Sequence, residues 1–146
     1  DPARPVIVEA ESSKIGKITL PPSLWEGMKA APWIEVAAPI MARARYLDAA
    51  YDDILSDGEA LRAKLAPLRY HRGAALIDHW SKLIDSGERI ALCRSLAEDH
   101  YDPAYQKSMR VHTPRILQRF ETPTLDDAGL DALAGRMAEA LHRITI

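Results

Sequence analysis

Cysteine is almost absent from this chain: Cys93 stands alone, so no internal disulfide can form and no cysteine-rich metal cluster can be built. That usage fits a reducing, cytoplasmic setting. The neighbours Ile90, Leu92 and Leu96 mark Cys93 as a buried, inert thiol rather than a nucleophile. Long hydrophobic runs are missing as well. No stretch approaches the roughly 18 uncharged residues a bilayer span requires, and no signal-peptide pattern opens the chain, so no membrane segment is expected. His71, His79, His100, His112 and His142 are scattered, without the His-x-x-x-His or His-Glu-x-x-His spacing of a zinc site. A Gly-x-Ser-x-Gly nucleophile elbow is lacking. So is a Gly-x-x-x-x-Gly-Lys-Ser/Thr loop, the backbone N–H cradle and lysine that grip polyphosphate. Finally, the net charge of −2 gives no global nucleic-acid signature.

What is present is the balance of a globular protein: 146 residues, 47% hydrophobic and 27% charged, the size of one domain spanning 1–146. Charge is uneven along it. Residues 60–77 hold no acid but contain Arg62, Lys64, Arg69 and Arg72, and residues 103–120 again hold none against Lys107, Arg110, Arg115 and Arg119. Two such stretches can follow an RNA backbone or serve as solvated helix faces.

The run Pro5 to Glu11 packs β-branched residues and ends in carboxylates, which predicts a buried parallel strand delivering acids at its C-terminal edge. A loop over Ser12 to Lys17 and a helix opened by Leu20-Pro21-Pro22-Ser23 follow, because proline is tolerated in a first turn. Trp33 to Ala37 reads as a second strand. Ile40, Ala44, Leu47, Tyr51 and Ile54 recur at helical spacing and predict one amphipathic helix over Pro39 to Leu55. Further helices are expected over about 59–68, 73–84 (Leu76, Ile77, Trp80 and Leu83 inward), 88–99 and 103–111, a helical insertion of about 56–112. A last strand over Arg115 to Phe120 and a closing helix over Leu125 to Arg143 complete the order, with Asp126 and Asp127 placed to suit the helix dipole. Trp25, Trp33 and Trp80 read as core residues. The fold class is α/β: a partial P-loop-like domain, helix-rich, with a short, mainly parallel sheet of about three strands.

Ligands of open parallel sheets bind beyond the carboxyl ends of strands, so Glu9, Glu11, Ser12, Lys14 and Gly16 form the first candidate site. Glu9 and Glu11 are of the type that holds Mg²⁺, or they pair with Lys14 and Arg43. On the helix over Pro39 to Leu55, Arg43 flanks the apolar stripe while Arg45 lies nearly opposite, so Arg43 is the anion ligand of the two. A second constellation, His100-Tyr101-Asp102-Pro103-Ala104-Tyr105, joins two helices. Asp102 and Pro103 suit the N-cap and first helical position, and Tyr101 and Tyr105 can stack a base beside Lys107 and Arg110.

Taken in order, Glu9-Ala10-Glu11 with Ile15-Gly16 a few residues on, the Leu20-Pro21 helix start, Arg43 eight residues before Tyr51, and Tyr101-Asp102-Pro103-Ala104-Tyr105 resemble the P-loop domain of the tRNA 2-selenouridine synthases. The resemblance runs from about Pro5 to the end. Since the phosphate loop is missing and the chain begins at Asp1 rather than Met, it implies a C-terminal part of that domain, inactive alone. For the parent enzyme it implies replacement of wobble 2-thiouridine sulfur by selenium from selenophosphate, through an intermediate made with geranyl diphosphate. Its implied partners are tRNA, a diphosphate donor and a rhodanese-like domain that carries the selenium-transfer cysteine. Glu9 and Glu11 would then orient Mg²⁺, Arg43 would offset charge on the leaving diphosphate, and Tyr51, Tyr101, Asp102 and Tyr105 would shape the pocket or the tRNA contact. A small-molecule kinase-like P-loop protein or a non-enzymatic helical RNA- or protein-binding module would share much of this pattern. Self-association through an uncovered sheet edge is a further expectation.

Overall fold

The computed structural model of the chain describes residues 6–10, 12–109 and 114–143. Its core follows from one apolar stripe. Helix α6 (Ala74–Asp85) carries Ile77, Trp80 and Leu83 at helical spacing, and all three are buried. They pack with Leu61 of α4 (Gly58–Leu65) and Leu92 of α7 (Arg89–Leu96). Trp80 and Leu92 are the largest fully buried side chains. Each such burial stabilises by roughly 1.5–3 kcal/mol, so the buried centre lies in the helical segment expected as an insertion and not on a sheet.

Two small sheets accompany this core. Ser12 to Lys17, expected as a loop, ends in a hairpin of β1 (Lys14–Ile15) and β2 (Ile18–Thr19), turned at Gly16 with φ +61°. A left-handed first turn residue followed by an ordinary one has the φ signs of a type II′ turn, for which glycine is the cheapest residue. Helix α1 (Pro22–Ala30) then leads to β3 (Trp33–Ala37), which pairs in parallel with β4 (Ile116–Glu121). Glu35 and Arg119 sit opposite each other and form an ion pair at 2.6 Å.

The run Val6-Ile7-Val8 departs from expectation. It is neither strand nor buried, with exposures of 82%, 63% and 52%. β-Branched residues favour extended backbone, yet a strand exists only through ladder bonds to a neighbour, and among the described residues no segment lies alongside this one. Among the described residues the parallel sheet therefore has two strands, β3 and β4, and a third is not confirmed.

Between β3 and β4 the chain is helical. The single helix expected over Pro39 to Leu55 is divided at Tyr51 into α2 (Ile40–Ala50) and α3 (Asp52–Leu55). After α4 come a 3₁₀ turn (Ala66–Leu68), α5 (Arg69–Arg72) and α6. Helix α7 continues without a break through a π turn (Ala97–Tyr101) into α8 (Asp102–Met109). The boundary expected at Asp102-Pro103 is thus absent, and Asp102, at φ −59° and ψ −45°, is helical and not an N-cap. Pro103 cannot donate to the carbonyl four residues earlier and its ring crowds that carbonyl. The wider π turn just before it relieves this conflict and lets the helix run on.

Helix α9 (Asp127–Arg143) closes the chain against β4. Asp126 caps it by accepting from the Gly129 N–H at 2.9 Å. A Cβ at Gly129 would stand 2.5 Å from Thr124 Oγ1 and 2.6 Å from the Thr124 carbonyl oxygen, whereas one at Gly135 meets nothing within 4 Å. Gly129→Ala should therefore destabilise by about 1–3 kcal/mol through overpacking against backbone. Gly135→Ala should stabilise by up to about 1 kcal/mol through helix propensity. Urea midpoints of the two variants check the opposite signs.

Candidate functional site

Two helical stripes face each other across a cavity of about 490 Å³. One, on α2 to α4, supplies Arg43, Tyr46, Leu47, Tyr51, Ile54, Leu55 and Leu61, and the other, on α7 and the π turn, supplies Cys93, Leu96, Ala97, His100 and Tyr101, with Leu125 completing the lining. The volume is that of a small-molecule site, and the walls are predominantly apolar. Tyr46, Tyr51 and Tyr101 are each about half exposed, at 44%, 49% and 43%, which puts their rings at the rim.

Arg43 sits at this rim. Its Nη1 donates to Asp102 Oδ2 at 2.9 Å and its Nη2 to Asp102 Oδ1 at 2.6 Å, a two-pronged ion pair joining α2 to the start of α8. The hydrogen bonds to Asp102 outweigh burial and hold the guanidinium pKa above its ordinary value. Side-chain exposures of 29% and 31% keep the pair at the edge of solvent. Asp102 thus serves as a partner for Arg43 rather than as a helix cap, and Arg43 pairs with it and not with Glu9. Tyr101 stacks on Tyr105 with ring centres 6.0 Å apart and planes 10° from parallel.

A polar network stands behind the cavity wall. Trp80 Nε1 donates to Ser95 Oγ at 2.8 Å, and Ser95 Oγ donates to Asp99 Oδ2 at 2.7 Å. Arg72 Nε donates to His100 Nδ1 at 3.0 Å and its Nη2 to the His100 carbonyl at 2.8 Å, while the His100 ring meets Trp80 edge to face at 6.3 Å. Burial, and then the Arg72 cation, hold the His100 pKa below its ordinary 6.5. Cys93 is 3% exposed, and burial, with the nearby Asp48 carboxylate, pushes its thiol up from 9.0 to about 11.

The structure therefore brings together Arg43, Tyr51, Tyr101, Asp102 and Tyr105 of the residues singled out by sequence. Glu9 is exposed in a segment without regular structure, and Ser12, Lys14 and Gly16 belong to the hairpin, where Ser12 Oγ accepts from the Lys14 N–H at 3.0 Å. None of these four lines the cavity. Lys107 lies exposed on α8, and Glu11 and Arg110 fall outside the described residues. No three His, Cys, Asp or Glu side chains converge to hold a cation among the described residues. Of the Glu9/Glu11 pair only Glu9 lies among the described residues, where it offers a single exposed carboxylate. Sequence reading missed Tyr46, read Cys93 only as a buried thiol and gave His100 no role of its own within the His100-to-Tyr105 constellation, although 93, 96, 97, 100 and 101 recur at three- and four-residue spacing and mark a stripe facing that of α2.

A wider depression of about 980 Å³ lies along the flanks of α2 and α7, bounded by Asp48, Asp52, Arg89 and Arg94. Its charges satisfy one another: Arg89 donates to Asp48 at 2.6 Å and to Asp52 at 2.8 Å, and Arg94 donates to Glu98 at 3.0 Å. The smaller cavity, with apolar walls and a charged rim, is the better-formed site. In the first basic stretch Arg62 pairs with Asp85, Arg69 with Asp78 and Arg72 with His100, leaving Lys64 exposed as the freest cation of the four.

Two measurements check this description. With its pKa near 11, Cys93 should react with a thiol reagent at about pH 8 roughly two orders of magnitude more slowly in the folded protein than in urea. Equal rates would place the thiol outside a dry wall. Because the folded His100 has the lower pKa, the unfolded chain takes up the proton first as pH falls. The stability tied to this histidine is complete above 6.5 and declines as pH drops from there toward the folded value. His100→Gln keeps an acceptor but cannot titrate, and its melting temperature should fall less than wild type between about pH 7 and pH 5.

No curated protein and no solved structure matches the chain. A family model does: that described as the tRNA 2-selenouridine synthase AAA domain matches residues 1–65, a segment containing Arg43, Tyr46 and Tyr51 and hence one wall of the cavity. Over those residues, a little under half of the chain, the sequence is similar to the tRNA 2-selenouridine synthase AAA domain.

Proposed function

We propose that this chain is part of a tRNA-modifying enzyme that converts wobble 2-thiouridine to 2-selenouridine through a geranylated intermediate, and that the cavity rimmed by Arg43 holds the apolar chain of the diphosphate donor. The family match supports tRNA as the substrate class. The single observation that carries the donor assignment is the pairing of an apolar slot of about 490 Å³ with one arginine and three tyrosines at its rim. Such a site takes a molecule with a hydrocarbon tail and an anionic head. Leu47, Ile54, Leu55, Leu61 and Leu96 receive the tail. At the rim Arg43 offsets the negative charge that grows on the diphosphate as its C–O bond breaks and a C–S bond to the thiouridine forms.

Tyr101 and Tyr105, stacked on each other beside the exposed Lys107, form the base-stacking and backbone contact for tRNA on α8. Selenophosphate selenium then attacks C2 of the geranylated base, geranyl thiolate leaves as the C2–S bond breaks, and water cleaves the Se–P bond to release phosphate. Cys93 has no part in that exchange, since a buried thiol with a pKa near 11 supplies almost no thiolate at neutral pH. The selenium-transfer cysteine is therefore assigned to a rhodanese-like partner domain.

Calorimetric titration tests the donor assignment. The protein should bind geranyl diphosphate saturably, and Leu47→Trp, which fills the slot, should weaken binding at least about tenfold, on the order of the loss expected when a buried tail is displaced. Absence of binding by the wild-type protein, or unchanged affinity in Leu47→Trp, would remove this reading.

A further inference from the structure

We propose that Asp102 is a specificity-determining residue of the cavity: by occupying both terminal nitrogens of Arg43, it admits an anionic head only when that head carries enough charge to displace a carboxylate. This rests on the reading that the cavity takes an apolar chain with an anionic head.

Three observations carry it. First, Arg43 is the only arginine or lysine among the described residues lining the cavity, so it is the cation they offer there to an incoming anion. Second, that cation is already engaged through both Nη1 and Nη2, at 2.9 and 2.6 Å, in the planar fork geometry a phosphate would otherwise use. Third, the pair stands at the rim, with side-chain exposures of 29% and 31%, where water can solvate a released carboxylate. Deeper burial would make release of Asp102 prohibitive; full exposure would make it inconsequential.

The exchange is uneven across ligand classes. A neutral alcohol with the same tail fills the slot without touching the ion pair. A carboxylate offers Arg43 the same charge and the same two oxygens as Asp102, so displacement gains nothing and leaves Asp102 to be resolvated. A diphosphate brings more charge and more acceptor oxygens than Asp102 and displaces it with net gain. Asp102 thereby selects against singly charged amphiphiles. The π turn at Ala97–Tyr101, immediately before Asp102, is the place where this helix can adjust as the contact opens.

The test is a comparison of geraniol, geranic acid and geranyl diphosphate on wild type and on Asp102→Asn, which keeps the side chain's shape and one acceptor oxygen but removes its charge. Affinity for geranic acid should rise about tenfold, the scale of one charge-assisted hydrogen bond. Affinity for the diphosphate should rise less, and geraniol should be unchanged, so the diphosphate-to-acid preference shrinks. If the preference is unchanged or grows, Asp102 is only a clamp between α2 and α8 and the proposal is overturned while the donor assignment stands. If wild type binds neither geraniol nor geranyl diphosphate, the donor assignment falls and this proposal with it. Should Asp102→Asn not fold, the neutral pair Arg43→Gln with Asp102→Asn keeps a hydrogen bond without charge and should bind all three probes alike; a surviving diphosphate preference there overturns the proposal.

Discussion

The site depends on α2 being pinned to the α7–α8 column at two places. Arg89, at the start of α7, reaches Asp48 near the C-terminal end of α2 and Asp52 beyond it, and Asp102, at the start of α8, reaches Arg43 near the N-terminal end of α2. The two contacts run in opposite order along the two segments, so the helices lie antiparallel and the stripe at Leu47 and Tyr51 faces the stripe at Cys93, Leu96 and Ala97. Ion pairs this close to solvent contribute little stability of their own, so their importance here is positional. The helices' apolar walls are thereby held facing each other across a slot.

The slot and the core share a wall: Leu61 belongs to both, and Ile54, Leu55 and Leu96 pack against the core while lining the cavity. Leu61, Ile77, Trp80, Leu83 and Leu92 close the core on one side of α7, while Cys93, Leu96 and Ala97, one residue further around the same helix and beyond, turn toward the cavity. The core side and the cavity side of α7 meet at Leu96, which touches both. Trp80 links them: its indole donates to Ser95 and its ring meets His100, so the core tryptophan also fixes the π turn that carries His100 and Tyr101 into the lining.

Much of this was legible in the sequence wherever a local pattern decides structure. The Ile77-Trp80-Leu83 stripe, strands β3 and β4 to within a residue, the acidic start of α9, and the contrast between a half-buried Arg43 and an exposed Arg45 all follow from periodicity and helix-end chemistry. What escaped is decided by long-range partners. Val6-Ile7-Val8 has the composition of a strand but no neighbouring strand among the described residues. Asp102-Pro103 has the chemistry of a helix start, yet an arginine 59 residues away takes the carboxylate and a π turn accommodates the proline. The pairing of Arg43 with Tyr51, Tyr101 and Asp102 was visible as a set of residues but not as a geometry. No spacing in the chain states that α2 and α8 meet.

The π turn joins these features into one device. Helix α7 would have ended before Pro103 had the chain kept the tighter α geometry, and Asp102 would then have capped a new helix with its carboxylate turned to backbone N–H groups. By widening at Ala97–Tyr101 the helix continues through the proline, and Asp102 stays helical with its carboxylate free to reach Arg43. The same widening places His100 against Trp80 and Arg72 on one side and Tyr101 in the cavity rim. A rare helical form thus stands where the core, the cavity rim and the Arg43–Asp102 pair meet: a regular α turn there would have to give up the proline, the arginine pair or the tyrosine.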